Sequence, residues 1–164
     1  MKHLLFLFIS TIGLIATGQA PLTHQFDVKG AVEKEVTITL ADISALSPVL
    51  LGDLDIINHS GQTVNTARQV KGVLLRDVLR SVSITSPSDR ELSCYYLLCT
   101  ASDGYTVTFS WNEVFNSTDV YVVVEVDGVP LGQYPKSIQL FDRRDIQSGR
   151  RFMRGLSTIE IKKG

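Results

Sequence analysis

Cysteine is scarce in this 164-residue sequence, and two cysteines are too few for a disulfide-stabilised scaffold. The formal net charge is only −1, so no overall field favours nucleic acid or a membrane surface as a partner. The sequence also lacks a glycine-rich phosphate loop, a Cys-x-x-Cys pair, a His-Glu-x-x-His helix and a serine in a nucleophile-elbow context. Enzymes and binding proteins whose chemistry depends on one of these four motifs are therefore excluded.

Long apolar runs are confined to the N-terminus. Lys2 and His3 precede an apolar run over residues 4–16, and small residues follow as far as Gly18. This layout is typical of a secretory signal peptide, which we place at residues 1–18. A retained membrane anchor is the alternative, but the run is shorter than the ~20 residues that span a bilayer. We therefore expect an exported protein, periplasmic or secreted, with no membrane association after cleavage.

The rest of the sequence alternates β-rich segments with single short helices. Side-chain periodicity predicts strands over residues 24–30, 35–40, 53–58, 63–70, 95–101, 105–109, 120–126, 137–141 and 157–162, and helices over residues 40–46, 73–82 and 111–115. We therefore predict one domain over residues 24–162, of the α+β class, with mixed β-sheets and short inserted helices. A β-sandwich is the alternative.

Three local features refine this prediction. Thr39 with Asp42, and Ser110 with Glu113, have the spacing of capping boxes at helix starts. Asp127-Gly128 is a hairpin turn signal. Cys94 and Cys99 are five residues apart on a predicted strand, so their side chains point to opposite faces and cannot form a disulfide.

Five stretches in collinear order resemble the sulfite-oxidase-type, molybdopterin-binding oxidoreductase domain. They are Glu35–Leu46 (EVTITLADISAL), Lys71–Leu79 (KGVLLRDVL), Thr100–Phe109 (TASDGYTVTF), Val124–Leu131 (VEVDGVPL) and Ile138–Ile161. The resemblance implies the sulfite-oxidase-like molybdopterin-binding fold, with molybdopterin as the cofactor, in a small single-domain version.

The metal ligand of that family is missing. Catalytic members carry a molybdenum-ligating cysteine just after the strand that matches Asp53–Asn58, where this sequence has Asn58, His59 and Ser60. Neither asparagine nor serine supplies the soft thiolate that this metal site uses. By resemblance, Asn58 and His59 are candidate cofactor-binding residues, although a turn histidine that is merely solvated is the alternative. We expect no molybdenum ligation and no catalytic residue.

A basic cluster is the strongest local chemical signal, with five arginines at positions 143, 144, 150, 151 and 154. The planar fork of arginine suits phosphate or carboxylate. The matching region of the family contacts the phosphate of the pterin, so the resemblance implies Arg143, Arg144, Arg150 and Arg151 as cofactor-binding residues. The alternative is a solvated loop that pairs with nearby aspartates.

Two function classes follow. One is a non-catalytic relative of the oxidoreductase domain that binds an anionic ligand, for example a pterin phosphate, or a protein partner in the former cofactor groove. The other is a secreted β-rich interaction module without a ligand pocket. An active molybdopterin oxidoreductase ranks third, because the thiolate ligand is absent.

Overall fold

The structure is a computed structural model that describes residues 23–85, 88–131 and 138–164. The predicted signal peptide, residues 1–18, lies outside the described residues. The strands are β1 (Gln25–Gly30), β2 (Val36–Thr39), β3 (Val49–Ile57), β4 (Thr63–Leu74), β5 (Tyr95–Ala101), β6 (Thr106–Ser110), β7 (Val120–Val126), β8 (Val129–Pro130), β9 (Gln139–Asp142), β10 (Met153–Arg154) and β11 (Leu156–Lys163). The helices are α1 (Leu40–Ser44), α2 (Leu75–Val78) and α3 (Trp111–Phe115), with 3₁₀ helices at Asp89–Cys94 and Ser148–Arg150.

The described strands form two sheets. The first has the order β2-β1-β11-β5-β6, in which β1 and β11 are parallel and the other neighbours are antiparallel. The second has the order β10-β9-β7-β4-β3, with β8 added to β7, and all of its pairings are antiparallel. The first sheet is thus mixed, as predicted, and the second is antiparallel.

The main hydrophobic core joins the two sheets. Phe26 of β1 and Val122 of β7 are buried in it, together with Ile43 of α1, Leu75 of α2 and Val114 of α3. Each short helix therefore contributes a buried side chain, which confirms the α+β prediction over the all-β sandwich.

A second, smaller core covers the opposite face of the second sheet. Tyr121 and Phe141 are buried there, while their neighbours Val122 and Leu140 face the main core. This alternation is what a strand buried on both faces requires. The second sheet is therefore covered on both sides.

The helix predicted over residues 73–82 is wrong in extent. Val73 and Leu74 belong to β4 and pair with Val122 and Tyr121 of β7, so the helix begins only at Leu75. The apolar run continues from strand into helix, and strand pairing overrides the helical spacing of its first two residues. Leu79, the C-cap residue, is still buried at 2% exposure.

Both capping boxes are confirmed, at Thr39 with Asp42 and at Ser110 with Glu113. Cys94 ends a 3₁₀ helix instead of lying on β5; it is exposed, whereas Cys99 is buried, and both are free thiols. In the described part of the chain, no helix reaches the length and apolarity of a membrane span.

Candidate functional site

The turn between β3 and β4 carries Asn58 and His59, which by resemblance stand where catalytic members of the family have a cysteine. The Asn58 side-chain oxygen accepts hydrogen bonds from the backbone N–H of Ser60 at 2.9 Å and of Gln62 at 3.0 Å. The Asn58 amide nitrogen donates to the Gln62 side chain at 3.4 Å. Asn58 therefore shapes the turn with its own side chain, and the neighbouring His59 is exposed.

The segment Arg143–Arg151, called here the arginine loop, packs against this turn. The buried Ser148 hydroxyl donates to the Asp55 carbonyl at 2.6 Å and accepts from the Ile57 N–H at 3.0 Å. The Gln147 side chain donates to the His59 carbonyl at 3.3 Å. The structure thus brings together the two regions in which the sequence predicts cofactor-binding residues.

Gly149 permits the close approach of the loop to β3. A Cβ added at this residue would lie 2.8 Å from the carbonyl oxygen of Ile57, nearer than real Cβ contacts allow. The obstructing atom is backbone in the middle of a hydrogen-bonded contact, so it has little freedom to move. Only glycine therefore fits at position 149 without a steric clash.

We expect Gly149→Ala to lower the free energy of unfolding by about 1–3 kcal/mol, the usual cost of overpacking. Chemical denaturation measures this difference. Gly164→Ala is the matched control, because its added Cβ would lie 3.4 Å from the Cys94 carbonyl oxygen, an ordinary contact. Equal stability of the two variants would show that the loop does not approach β3 this closely.

Arg151 is the centre of an ion cluster beneath the loop. Its guanidinium nitrogens lie 2.9 Å from a Glu113 oxygen, 2.9 Å from an Asp142 oxygen and 2.6 Å from an Asp145 oxygen. It also stacks over the Phe109 ring, 4.8 Å from the centroid. The cluster links the arginine loop to α3 and β6, and its one positive and three negative groups leave a net charge of −2.

The cluster shifts the pKa values of its members in different directions. Burial raises the pKa of Asp142 above its ordinary value and outweighs the hydrogen bond from the Arg144 N–H. Burial also acts to raise the pKa of Glu113, but the Ser110 N–H and the Arg151 guanidinium together bring it below its ordinary value. Hydrogen bonding to Asp145 is the main cause that raises the pKa of Arg151. Arg151 therefore stays protonated, and carboxylates of the same chain neutralise its positive charge.

The other arginines differ from Arg151. Arg144 forms an ion pair with Asp119 at 2.7 Å but remains 71% exposed at its side chain. Arg154 lies over the Phe152 ring, 5.3 Å from the centroid. Arg143 and Arg150 are exposed, and within the described residues neither forms an ion pair.

Tyr105 adds a third segment to the site, because its hydroxyl donates to the Arg150 carbonyl. Tyr105 is 44% exposed, and it follows the Asp103-Gly104 turn between β5 and β6. Tyr105 is not among the site residues that the sequence predicts. The aromatic residue after the glycine was the available signal for a contact with the loop.

The residues present do not fit molybdenum ligation. Burial raises the pKa of the Cys99 thiol to about 12, inside the core. Cys94 immediately precedes the seven-residue strand β5, and Ala101 at the other end leads into the turn that contacts the arginine loop. Cys94 is therefore about 20 Å from Ala101 along the strand. Across the described residues, no group of three or more His, Cys, Asp and Glu side chains is arranged to hold a metal ion.

The pterin side of the cofactor fits better. A pterin phosphate needs cationic donors that are free to face it, and Arg143 and Arg150 are exposed and unpaired within the described residues. These two residues are therefore the candidates to hold the anion, whereas Arg144 is already paired with Asp119. Exposed, unpaired arginines thus fit the phosphate of the cofactor, whereas the residues present do not supply its metal ligand.

Comparison with known proteins agrees with this fold. The crystal structure of the sulfane dehydrogenase SoxCD from Paracoccus pantotrophus superimposes with a TM-score of 0.64 at 14% sequence identity. The match covers 86% of this chain but only 38% of the SoxCD chain, so this chain spans well under half of that protein. At this identity the likeness shows the fold alone. No curated protein sequence matches the chain.

A family model described as "Oxidoreductase molybdopterin binding domain" matches residues 14–134, which is more than half of the 164 residues. The matched range includes β1 to β8 and the Asn58–His59 turn, and it ends before the arginine loop. The chain therefore belongs to the family of oxidoreductase molybdopterin-binding domains.

Proposed function

We propose that this chain is an exported, non-catalytic member of its family that binds an anionic ligand on the arginine loop. The observation that carries the proposal is the contrast between Arg151, which three carboxylates neutralise, and Arg143 and Arg150, which are exposed without an ion pair in the described structure. Arg151 fixes the loop in place, and Arg143 and Arg150 are available to a ligand.

The loop is held in place before any ligand arrives. Ser148 bonds to the backbone of β3, and Arg151 connects the loop to Glu113 of α3. A fixed loop loses little conformational entropy on binding, which favours affinity. The chemistry of the ligand is a phosphate or a carboxylate, because the guanidinium fork matches both.

The non-catalytic part of the proposal rests on the missing thiolate. Asn58 stands at the ligand position and uses its side chain within its own turn.

The export part rests on residues 1–18, and intact-mass analysis of the exported protein should find a chain that begins at Gln19. Retention of the apolar run, with the protein in membranes, would contradict export in soluble form.

Titration with inorganic phosphate tests the anion site. We expect phosphate to raise the melting temperature in a saturable way, since a ligand that binds only the native state stabilises it. Charge-assisted hydrogen bonds are strong, so Arg143→Ala with Arg150→Ala should weaken phosphate binding by about tenfold or more. Isothermal titration calorimetry measures both affinities.

Arg90→Ala is the control, because Arg90 is an exposed arginine on the 3₁₀ helix at Asp89–Cys94 and lies outside the loop. It should leave phosphate binding unchanged. If sodium chloride at equal ionic strength reproduces the phosphate effect, the arginines act only through general screening. An interaction module without a ligand pocket would then be the better description.

A further inference from the structure

Strand β2 lies at the edge of the first sheet, and no other described strand pairs with its outer side. Among the described strands only β1 pairs with it, in antiparallel register with Asp27 opposite Thr37. The Leu40 N–H donates to the His24 carbonyl at 2.9 Å, whereas the Thr39 N–H turns away from β1 and donates to Asp42 at 2.8 Å. Because antiparallel pairs alternate, the N–H and C=O of Thr37 also point away from β1, toward the open edge.

Two cavities flank this edge, one on each face of the strand. The first, about 240 Å³, lies between β2, α1 and α2, with Val36, Asp77 and Arg80 in its lining. The second, about 390 Å³, lies on the outer face of the sheet and is lined by residues that include Lys29 and Glu35. Val36 and Thr37 border both cavities. An open strand edge with a depression on each face is the geometry that accepts an added strand, whose successive side chains point to opposite faces.

The charge around the edge is negative. The two cavities together are lined by four carboxylates and two cations, which gives a net charge of −2; the carboxylates are Asp27, Glu35, Asp42 and Asp77, and the cations are Lys29 and Arg80. Asp42 caps α1 and Asp27 accepts a hydrogen bond from Thr37. Glu35 and Asp77 are exposed, one in each cavity. Asp77 has a long ion pair with Arg76 at 4.0 Å, which leaves its side chain 51% exposed and accessible to a partner.

We propose that the β2 edge is a docking site for an extended, basic segment of a partner protein. The segment pairs with the backbone of Thr37 and directs Lys or Arg side chains to Glu35 on one face and Asp77 on the other. Because β2 is only four residues long, its backbone offers few hydrogen bonds, so the side chains decide affinity. A second copy of this chain is a poor occupant through β2 itself, since Val36–Thr39 carries no positive charge.

Two synthetic nine-residue peptides test the proposal on the mature protein. The Lys-Val peptide repeats Lys-Lys-Val, which places Lys on both faces of an added strand, and the Glu-Val peptide repeats Glu-Glu-Val in the same way. Fluorescence anisotropy should show saturable binding of the Lys-Val peptide and none of the Glu-Val peptide. Hydrogen exchange followed by NMR should show slower exchange of the Thr37 amide when the Lys-Val peptide is bound. Simple charge attraction would not protect that amide, so the exchange measurement distinguishes strand addition from surface adsorption.

Two variants complete the test. Glu35→Lys combined with Asp77→Lys should weaken the Lys-Val peptide by about tenfold, because two exposed attractions become repulsions. Asp89→Lys, an exposed aspartate on the 3₁₀ helix, should leave the affinity unchanged. An equal loss in both variants, or binding without protection of Thr37, would overturn the proposal. Thr37→Pro removes the outward N–H; if it folds and still binds with full affinity, strand pairing is also refuted.

Discussion

Arg151→Ala should lower the free energy of unfolding by about 3 kcal/mol at pH 7, the lower end of the range for breaking a buried ion pair. Arg151 is partly screened, with 26% of its side chain exposed, which is why the lower end applies. The substitution leaves Glu113, Asp142 and Asp145 near one another without their shared cation. Asp142 is the least able to find water, since only 5% of its side chain is exposed.

The same variant should show a changed dependence of stability on pH. In the wild type, the pKa of Glu113 lies below its ordinary value of 4.5, so its contribution is present above pH 4.5 and is lost as the pH falls through the lowered value. Without Arg151, burial and mutual repulsion raise the pKa values of Asp142 and Glu113 relative to the wild type, so part of the lost stability returns as the pH falls. The deficit of the variant should therefore shrink between pH 7 and about pH 4.

Chemical denaturation at several pH values measures this effect. Arg150→Ala is the matched control, because Arg150 is exposed on the same loop and should change the unfolding free energy by less than about 0.5 kcal/mol. A deficit for Arg151→Ala that equals that of the control would mean that Arg151 does not stabilise the protein. A larger deficit that stays constant from neutral to acid pH would mean that its ion pairs are not the cause.

Leu79→Ala should lower the free energy of unfolding by about 2–5 kcal/mol, the usual range for a buried leucine. Leu79 is 2% exposed and packs in the main core with Leu75 and Val78. Leu50→Ala provides a control of the same chemistry, because Leu50 is 67% exposed on β3. Urea unfolding of both variants should give a loss below about 0.5 kcal/mol for the control. Similar losses at the two positions would show that Leu79 is not a core residue.

Local signals in the sequence predicted the short elements well. The Thr39 and Ser110 capping boxes depend on residues three positions apart, so their chemistry is complete within one turn of chain. The Asp127-Gly128 turn joins β7 to β8 in the same local way. Features set by distant pairing were less predictable. Val73 and Leu74 show helical spacing but lie in β4, because β7 offers them a partner that the sequence pattern does not reveal.

The candidate site shows the same limit. In the sequence, the five arginines differ only in position, but in the structure they have different roles. Arg151 binds Glu113, which is 38 residues away, and sequence reasoning assigned Glu113 only to the cap of α3. Arg144 pairs with Asp119, which is also far away in the sequence, so no local pattern predicts this contact. Which arginines remain for a ligand is decided by carboxylates from other elements, and that information exists only once the chain is folded.

Whether the protein binds molybdenum can be measured directly. The protein should be purified, without chelators, from a host that makes molybdopterin, and its molybdenum and pterin contents determined alongside phosphate binding by the same sample. Because no thiolate stands at the ligand position, we predict no stoichiometric molybdenum, with saturable phosphate binding that depends on Arg143 and Arg150. One molybdenum atom per chain, retained through purification, would contradict a non-catalytic, anion-binding domain.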